Sequence, residues 1–95
     1  MPAMIRSFRS KALSRFAASG DASKLSVRNT ARVRRILLAL NDAARPEAMN
    51  LEGYRFHRLK GRDKDRYSVS VSGNWRITFA FEGEDAVDVD LEDYH

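Results

Sequence analysis

The hydrophobic pattern of this chain changes its period at Pro46. Before that residue, apolar side chains recur at helical spacing, and the clearest stripe is formed by Val33, Ile36, Leu37 and Leu40. After it, apolar and polar residues alternate, as they do in strands that bury one face. Two helices followed by several strands predict an α+β fold, in which the two N-terminal helices pack on one face of the sheet.

The helical half has recognisable boundaries. We expect a first helix over residues 10–19, because Gly20 follows it in the position of a helix C-cap. A longer second helix is expected to begin after Ser23 or Ser26, either of which can cap it. It should end within residues 41–45, because the residue before a proline disfavours helical conformation.

The alternating half predicts four strands, and a short run at residues 4–8 predicts one more that precedes the helices. The stretches 72–74 and 82–85 contain glycine between alternating runs and predict hairpin turns. The chain should therefore form a four- to five-stranded, mainly antiparallel sheet. The apolar positions of the four runs are Tyr54 and Phe56, then Tyr67, Val69 and Val71, then Trp75, Ile77, Phe79 and Phe81, and finally Val87, Val89 and Leu91.

Length and composition exclude several classes of protein. The 95 residues predict one domain, residues 1–95, with 43% hydrophobic residues for a modest core. The absence of cysteine excludes a disulfide framework, thiol catalysis and Cys-ligated zinc. Because there is neither a long apolar run nor the apolar core of a signal peptide, we expect a cytoplasmic protein with no membrane partner.

Charge is distributed unevenly along the chain. Residues 1–62 carry 14 basic and 4 acidic side chains, whereas residues 63–95 carry 3 basic and 9 acidic ones. Arg28, Arg32 and Arg35 follow helical spacing and would form a basic ridge on the second helix. Such a ridge is typical of a surface that binds phosphates, and equally of arginines that merely keep a helix soluble.

Alternation also places two chemically useful residues together. If Tyr54 and Phe56 point to the core, then His57 points to the other face of the sheet. The same argument from the flanking apolar residues places Arg76 on that open face. A histidine that exchanges protons near neutral pH, beside an arginine that can neutralise a phosphate, is a reasonable arrangement for a phosphodiester.

The last residues and the acidic strand suggest further chemistry. His95 follows Asp93 and Tyr94, so that three groups able to transfer protons or donate hydrogen bonds are adjacent. Asp88, Asp90 and Glu92 alternate along the preceding strand and would share one face, a spacing as typical of a solvated edge as of a metal site. Neither a phosphate-binding loop nor a dinucleotide fingerprint occurs in the sequence, and we expect no metal site.

Four stretches together resemble one family of bacterial proteins. They are GYRFHRLKG at 53–61, YSV at 67–69, GNWRITF at 73–79 and DVDLEDYH at 88–95. Their combination resembles the HigB-type toxins of the RelE/ParE superfamily of toxin–antitoxin systems, over essentially the whole chain from Met4. Three residues precede the usual start of that family, and Tyr67 stands where a tryptophan is common.

The resemblance implies a RelE-like fold and an enzymatic activity. Toxins of this kind are ribosome-dependent endoribonucleases, or mRNA interferases, which cut A-site codons and so inhibit translation and growth. They use no metal and no cofactor, because the 2′-hydroxyl of the RNA attacks the adjacent phosphate. Carried over by position, the resemblance assigns catalytic places to His57, Lys60, Arg76, Asp93, Tyr94 and His95.

The roles of these residues follow from the reaction. The attacking 2′-hydroxyl must lose a proton and the leaving 5′-oxygen must gain one. We expect His95 or Asp93 to act as the base, and His57 to contact the phosphate or act as the acid. Arg76 and Lys60 would stabilise the pentavalent phosphate, while the tyrosine beside the last histidine would position the ribose or stack on a base.

The resemblance also implies partners. These are the 70S ribosome, its mRNA, and a cognate HigA-like antitoxin with a helix-turn-helix, through which alone the toxin would meet operator DNA. Binding to ribosomal RNA would rely on phosphate contacts that carry no sequence information. The residues expected to make them are Arg28, Arg32, Arg35, Arg58 and Arg62.

Two other functions remain open at this stage. The first is a ParE-like inhibitor of DNA gyrase on the same fold, and the second is an RNA-binding module without catalysis. An inhibitor has no need of a histidine and acid cluster, so His57, Arg76 and residues 93–95 favour the nuclease.

Overall fold

The computed structural model of the protein describes residues 5–61 and 65–94. Two helices lie before a sheet whose strands follow in chain order, as an α+β fold requires. The elements are α1 (Lys11–Ser19), α2 (Thr30–Asp42), a 3₁₀ turn (Pro46–Met49), β1 (His57–Arg58), β2 (Tyr67–Ser72), β3 (Trp75–Glu82) and β4 (Asp85–Asp93).

The sheet has the order β1-β2-β3-β4, with every neighbouring pair antiparallel. The segment before α1 runs parallel to β4 at its free edge, where Ile5 pairs with Ala86 and Phe8 with Val89. This segment corresponds to the additional strand expected at residues 4–8, although Met4 lies outside the described residues. The fold expected from the periodicity, two helices on a mainly antiparallel sheet, is confirmed.

Helix α1 begins and ends where the sequence predicts. The Ser10 hydroxyl accepts a hydrogen bond from the Leu13 backbone N–H at 3.1 Å, which satisfies one of the free donors of the first turn. Gly20 ends the helix with a φ of 78°, a left-handed conformation that glycine adopts without a Cβ clash.

Helix α2 begins later than expected, and the prediction that Ser23 or Ser26 caps it is wrong. Its N-cap is Asn29, whose side-chain oxygen accepts a hydrogen bond from the Arg32 backbone N–H at 3.2 Å. The side chain of Val27 is buried among the core residues, and the segment before the cap packs on the core without forming a helix.

The core lies between the two helices and one face of the sheet. The predicted stripe on α2 is confirmed, since all four of its residues are buried. Leu13 from α1 completes the helical side. On the sheet side the core contains Val69, Val71, Ile77, Phe79, Ala86 and Val89.

The two long hairpins close with two-residue turns, as predicted. Gly73 and Asn74 join β2 to β3, and Gly83 and Glu84 join β3 to β4. Both glycines have positive φ, 53° and 62° respectively. Glycine as the first turn residue suits the type II′ turn, whose twist matches that of the flanking strands.

A bulge in β4 overturns part of the predicted alternation. Thr78 pairs with Asp90 and Ala80 with Val87, so two residues of β4 lie opposite one residue of β3. Asp88, inside the bulge, has a φ of 52°. Ala86 therefore belongs to the main hydrophobic cluster, whereas Val87 is buried outside that cluster.

The first of the four predicted strands is shorter than its alternation suggests. Only His57 and Arg58 pair as a strand, because Arg55 has a φ of 52° that interrupts the extended backbone. Tyr54 and Phe56 still pack against the core, as expected, and the ring of Phe56 stacks on Tyr67 with centroids 5.6 Å apart.

Candidate active site

The face of the sheet opposite the helices carries the predicted chemistry, and strand register defines its members. Residues paired across antiparallel strands point to the same side of a sheet. One row of pairs runs across all four strands, and a second runs across β2, β3 and β4. The polar face, as we call this surface, consists of His57, Ser68, Thr78 and Asp90 in the first row, and Ser70, Arg76 and Glu92 in the second.

The register confirms that His57 and Arg76 share a face. His57 lies on β1 and Arg76 on β3, with β2 between them and an offset of two residues along the strands, so their backbones are about 12 Å apart. Ser68 and Ser70 occupy the intervening strand. A phosphodiester with its two flanking nucleotides spans a separation of this size.

Arg76 presents a positive charge with neutral partners. Its guanidinium NH1 donates to the Ser70 hydroxyl at 2.9 Å and to the Gly73 backbone carbonyl at 3.4 Å. Among residues 5–61 and 65–94, no carboxylate lies within 4 Å of this guanidinium. The charge of Arg76 is therefore available to an anion that reaches the polar face.

A buried hydrogen-bond chain lies beside Arg76, and it begins at Arg66, a residue that the sequence analysis did not single out. Arg66 NH2 donates to the Thr78 hydroxyl and to the Asp88 backbone carbonyl, both at 2.9 Å. The Thr78 hydroxyl in turn donates to Glu92 Oε2 at 2.5 Å. A sequence signal existed, since position 66 alternates with Ser68 and so belongs to the same side of β2.

Arg66 is unusually buried for a charged residue, since only 6% of its surface is exposed. Burial lowers the pKa of its guanidinium, repulsion from Arg9 lowers it further, and the carboxylates of Glu92, Asp88 and Asp90 oppose that shift. Its NH1 atom is the buried side-chain nitrogen for which the described part of the chain offers no hydrogen-bond acceptor. A buried guanidinium with an unpaired N–H destabilises a fold, so its presence calls for an explanation.

The acidic end of β4 adjoins Arg76. Asp93 is the last residue of β4 and pairs with Trp75, the neighbour of Arg76 in β3, so the register places it on the face opposite Arg76. Tyr94 continues the pairing, since its backbone N–H donates to the Asn74 carbonyl at 2.8 Å. By alternation Tyr94 falls on the side of Glu92. His95 lies outside the described residues, so its predicted place beside these groups stays a prediction.

The basic residues near β1 are dispersed. Lys60 is exposed just beyond β1, in the stretch that leads to β2. Arg58 pairs with Tyr67 and therefore points to the side opposite His57, where its NH2 lies 3.4 Å from Asp65 in an exposed ion pair. Arg62 lies outside the described residues.

The predicted basic ridge on α2 is interrupted. Arg28 precedes the helix, and Arg35 is exposed on it. Arg32 is bound to the protein itself: Nε donates to the Ser70 carbonyl at 3.1 Å, and NH2 donates to the Gly53 carbonyl at 2.7 Å. Its guanidinium carbon also lies 4.9 Å from the centre of a tyrosine ring. Arg32 therefore supports the strand whose serine bonds Arg76.

Concave surface lies elsewhere on the molecule. A cavity of about 420 Å³ between α1 and α2 is lined by residues that include Phe16, Leu37 and Leu38. A second, of about 270 Å³, lies between α1 and the segment before it. Neither cavity is lined by residues of the polar face.

The described residues show neither a metal-ion site nor a membrane-spanning helix. They contain no group of three or more histidine, aspartate and glutamate side chains placed to hold a metal ion. The expectation that the protein uses no metal stays a prediction. None of the helices found there has the length and apolar character needed to cross a membrane.

Comparison with known proteins gives two matches. A family model described as the RelE-like toxin HigB of type II toxin–antitoxin systems matches residues 6–95. A curated protein of Proteus vulgaris, called Endoribonuclease HigB, is 36% identical over 92 residues. That alignment covers 97% of this chain and 100% of the relative, so the likeness extends over both proteins.

Proposed function

The chain belongs to the family of RelE-like HigB toxins of type II toxin–antitoxin systems, and we propose that it is an endoribonuclease that cuts mRNA on the ribosome. The proposed substrate is the codon in the A site, and the expected consequence is arrest of translation and growth. Ribonuclease activity is suggested by the name of the Proteus vulgaris relative. The residues of the polar face provide the chemical argument for this activity.

The observation that carries the proposal is the guanidinium of Arg76, which shares the polar face with His57 and has neutral partners. Attack by a 2′-hydroxyl on the adjacent phosphate gives a 2′,3′-cyclic phosphate and a free 5′-hydroxyl. Negative charge accumulates on the phosphate during this step, and a cation fixed beside it stabilises the transition state. A guanidinium already paired with a carboxylate would do so less well.

Proton transfer is assigned to the groups at the two sides of Arg76. His95 or Asp93 would take the proton of the 2′-hydroxyl, and His57 would contact the phosphate or give a proton to the leaving oxygen. His57 lies on the polar face with Arg76, whereas the register turns Asp93, at the end of β4, to the opposite face. Lys60 and Tyr94 complete the proposed site, as a second cation and as a group that positions the ribose.

Ribosome dependence accords with the place of the proposed groups. They lie outside the two cavities described above, so neither cavity would hold the RNA against them. Positioning supplies a large part of the barrier reduction in many enzymes, and the ribosome holds an A-site codon in a fixed place. The proposed enzyme therefore brings charge and proton transfer to a substrate that the ribosome orients.

Association with the ribosome would rest on exposed arginines. Arg28 and Arg35 are exposed, whereas the guanidinium of Arg32 is bound to backbone carbonyls and the strand it supports. Each phosphate contact removed should reduce the salt dependence of binding by about one unit of slope. Arg35→Glu should thus weaken binding to ribosomes, while Arg35→Lys, its matched control, keeps the charge and the binding.

The family also implies the partner that controls the toxin. A type II system pairs a protein toxin with a protein antitoxin. We propose a HigA-like antitoxin with a helix-turn-helix, through which the complex would bind its operator.

The proposal is tested by cleavage of a short mRNA on purified ribosomes, read by primer extension. The protein should carry no C-terminal tag, because added residues would follow directly on His95. Cuts within the A-site codon are expected, absent without ribosomes and reduced about 10²- to 10⁴-fold by His95→Ala. Growth arrest without any cut would overturn the nuclease and direct attention to a supercoiling assay with DNA gyrase.

A further inference from the structure

Arg76 and Glu92 lie directly opposite each other on β3 and β4, yet they do not form an ion pair. Opposite charges at facing positions of antiparallel strands ordinarily attract and pair. Here the guanidinium of Arg76 turns instead to the Ser70 hydroxyl, at 2.9 Å. Something else must hold the carboxylate of Glu92.

The residue that binds this carboxylate is Thr78, which points to the same face of β3 as Arg76 and has no exposed surface. Its hydroxyl donates to Glu92 Oε2 at 2.5 Å and accepts from Arg66 NH2 at 2.9 Å. A hydroxyl has a single proton to donate, and an N–H that occupies its acceptor side leaves that proton for the carboxylate. Arg66 therefore orients the hydroxyl towards Glu92.

Arg66 is itself fixed and electrostatically unbalanced. A second bond from its NH2 to the Asp88 carbonyl holds the guanidinium in place at 2.9 Å. No carboxylate of the described residues lies within ion-pair distance of it, so its buried charge attracts Glu92 from across the strand. Attraction between charges is stronger where water is excluded, which favours Arg66 over the less buried Arg76 in the competition for this carboxylate.

We propose that the relay Arg66–Thr78–Glu92 acts as a positioning device that withholds the Glu92 carboxylate from Arg76 and so keeps the Arg76 guanidinium available for an RNA phosphate. The inference rests on the proposed function for its substrate, but the competition between two cations for one carboxylate is a property of the folded chain alone. It also explains why a destabilising buried guanidinium is present on this face.

The first test releases the carboxylate. Thr78→Val keeps the shape of the side chain and removes the hydroxyl, so Glu92 can move to Arg76. A partly exposed pair of this kind is worth up to about 1 kcal/mol, which corresponds to a fall of about fivefold in the single-turnover cleavage rate. Affinity for ribosomes should not change, because the arginines proposed to bind them are elsewhere.

The second test removes the carboxylate that would otherwise pair with Arg76. Adding Glu92→Gln to Thr78→Val removes the competing negative charge, and the cleavage rate should return to within about twofold of the wild type. Thr30→Val is the matched control, since it makes the same change of side chain at the start of α2, away from the polar face. A loss in Thr78→Val that the second change fails to recover would refute the relay.

A measurement without cleavage separates this inference from the proposed function. Inorganic phosphate is titrated into the folded protein while the Nε–H signal of Arg76 is followed by NMR. Phosphate should shift this signal in the wild type and shift it less in Thr78→Val. In the double variant Thr78→Val with Glu92→Gln, the shift should return to its size in the wild type. This pattern in a protein that never cuts RNA would sustain the relay and reject the nuclease, whereas equal shifts in all three would reject the relay.

Arg66→Met replaces Thr78→Val if the valine variant does not fold. It removes the charge that draws Glu92 inward and should lower both the cleavage rate and the phosphate response by about twofold. Addition of Glu92→Gln should again recover both. Wild-type values for Arg66→Met in both measurements would overturn the proposal.

Discussion

Thr78 and Phe79 are neighbours on β3, and both are completely buried, but they are buried on opposite faces of the sheet for different reasons. The ring of Phe79 lies among apolar side chains, with its centroid 5.9 Å from that of Tyr67. The hydroxyl of Thr78 lies between a guanidinium and a carboxylate. Burial alone does not make a residue part of a hydrophobic core.

The two faces differ in what burial does to stability. On the helical face, removing apolar surface from water stabilises the fold by roughly 25 cal/mol per Å² and requires no particular direction of contact. On the polar face, groups that water would have solvated must be matched one bond at a time, and the NH1 of Arg66 finds no acceptor among the described residues. The first face determines whether the chain folds, and the second determines which charges are available once it has folded.

The largest effect should come from the helical face. Phe79→Ala removes a fully buried ring and should lower the free energy of unfolding by about 3–5 kcal/mol, as such core truncations do. Urea unfolding measures this directly. Phe81→Ala is the control, because that ring is only partly buried and should cost less. A loss below about 1 kcal/mol for Phe79→Ala would show that the two faces do not differ in this way.

The next largest effect should come from Arg76, and in activity rather than stability. Arg76→Ala should reduce single-turnover cleavage on ribosomes by about 10²- to 10³-fold, the usual loss when a donor to a developing anion is removed. Its free energy of unfolding should fall by no more than about 1.5 kcal/mol, the worth of the bond to Ser70.

Arg32→Ala provides the opposite case among the arginines. It removes two bonds to backbone carbonyls that hold β2 and the Gly53 segment together, so stability rather than catalysis should suffer first. Equal losses of cleavage rate in folded Arg76→Ala and Arg32→Ala would contradict the assignment of Arg76 to the phosphate.

A smaller effect is expected from the N-cap of α2, which determines where the helix that packs on the apolar face of the sheet begins. Asn29→Ala should lower the free energy of unfolding by about 1 kcal/mol, because the Arg32 backbone N–H loses its partner. In a domain of this size that is a fall of about 4–8 °C in Tm. Ser26→Ala, at a cap position that the sequence suggested, should leave Tm nearly unchanged. A larger fall in Tm would indicate that Ser26 caps the helix and that α2 begins earlier.

The smallest effect should come from Arg66, although it is almost as deeply buried as Phe79. Because burial lowers the pKa of Arg66, the folded protein holds this proton less tightly than the unfolded chain does. The charged form is therefore unfavourable to folding at every pH below the unfolded pKa. Arg66→Met should change the free energy of unfolding at pH 7 by less than about 1 kcal/mol in either direction. A loss comparable with that of Phe79→Ala would erase the difference between the faces.

The sequence by itself determined the layers of the fold and the face on which the chemistry lies. The change of period at Pro46, the stripe on α2 and the glycine turns are local patterns, and each was confirmed because it depends on neighbours within a few residues. The shared face of His57 and Arg76 followed from the period of two along β1 and β3. The family followed from the combination of four short motifs between residues 53 and 95.

Only the tertiary structure decided the details that depend on what lies opposite a residue. The bulge at Asp88, which places Ala86 rather than Val87 in the main hydrophobic cluster, is a mismatch between two strands and has no signal in either strand alone. Likewise, Arg32 and Arg66 look like surface arginines in the sequence, but one supports β2 and the other lies buried under the polar face. The partner of a charged side chain is fixed by distances through space, and a linear pattern does not contain those distances.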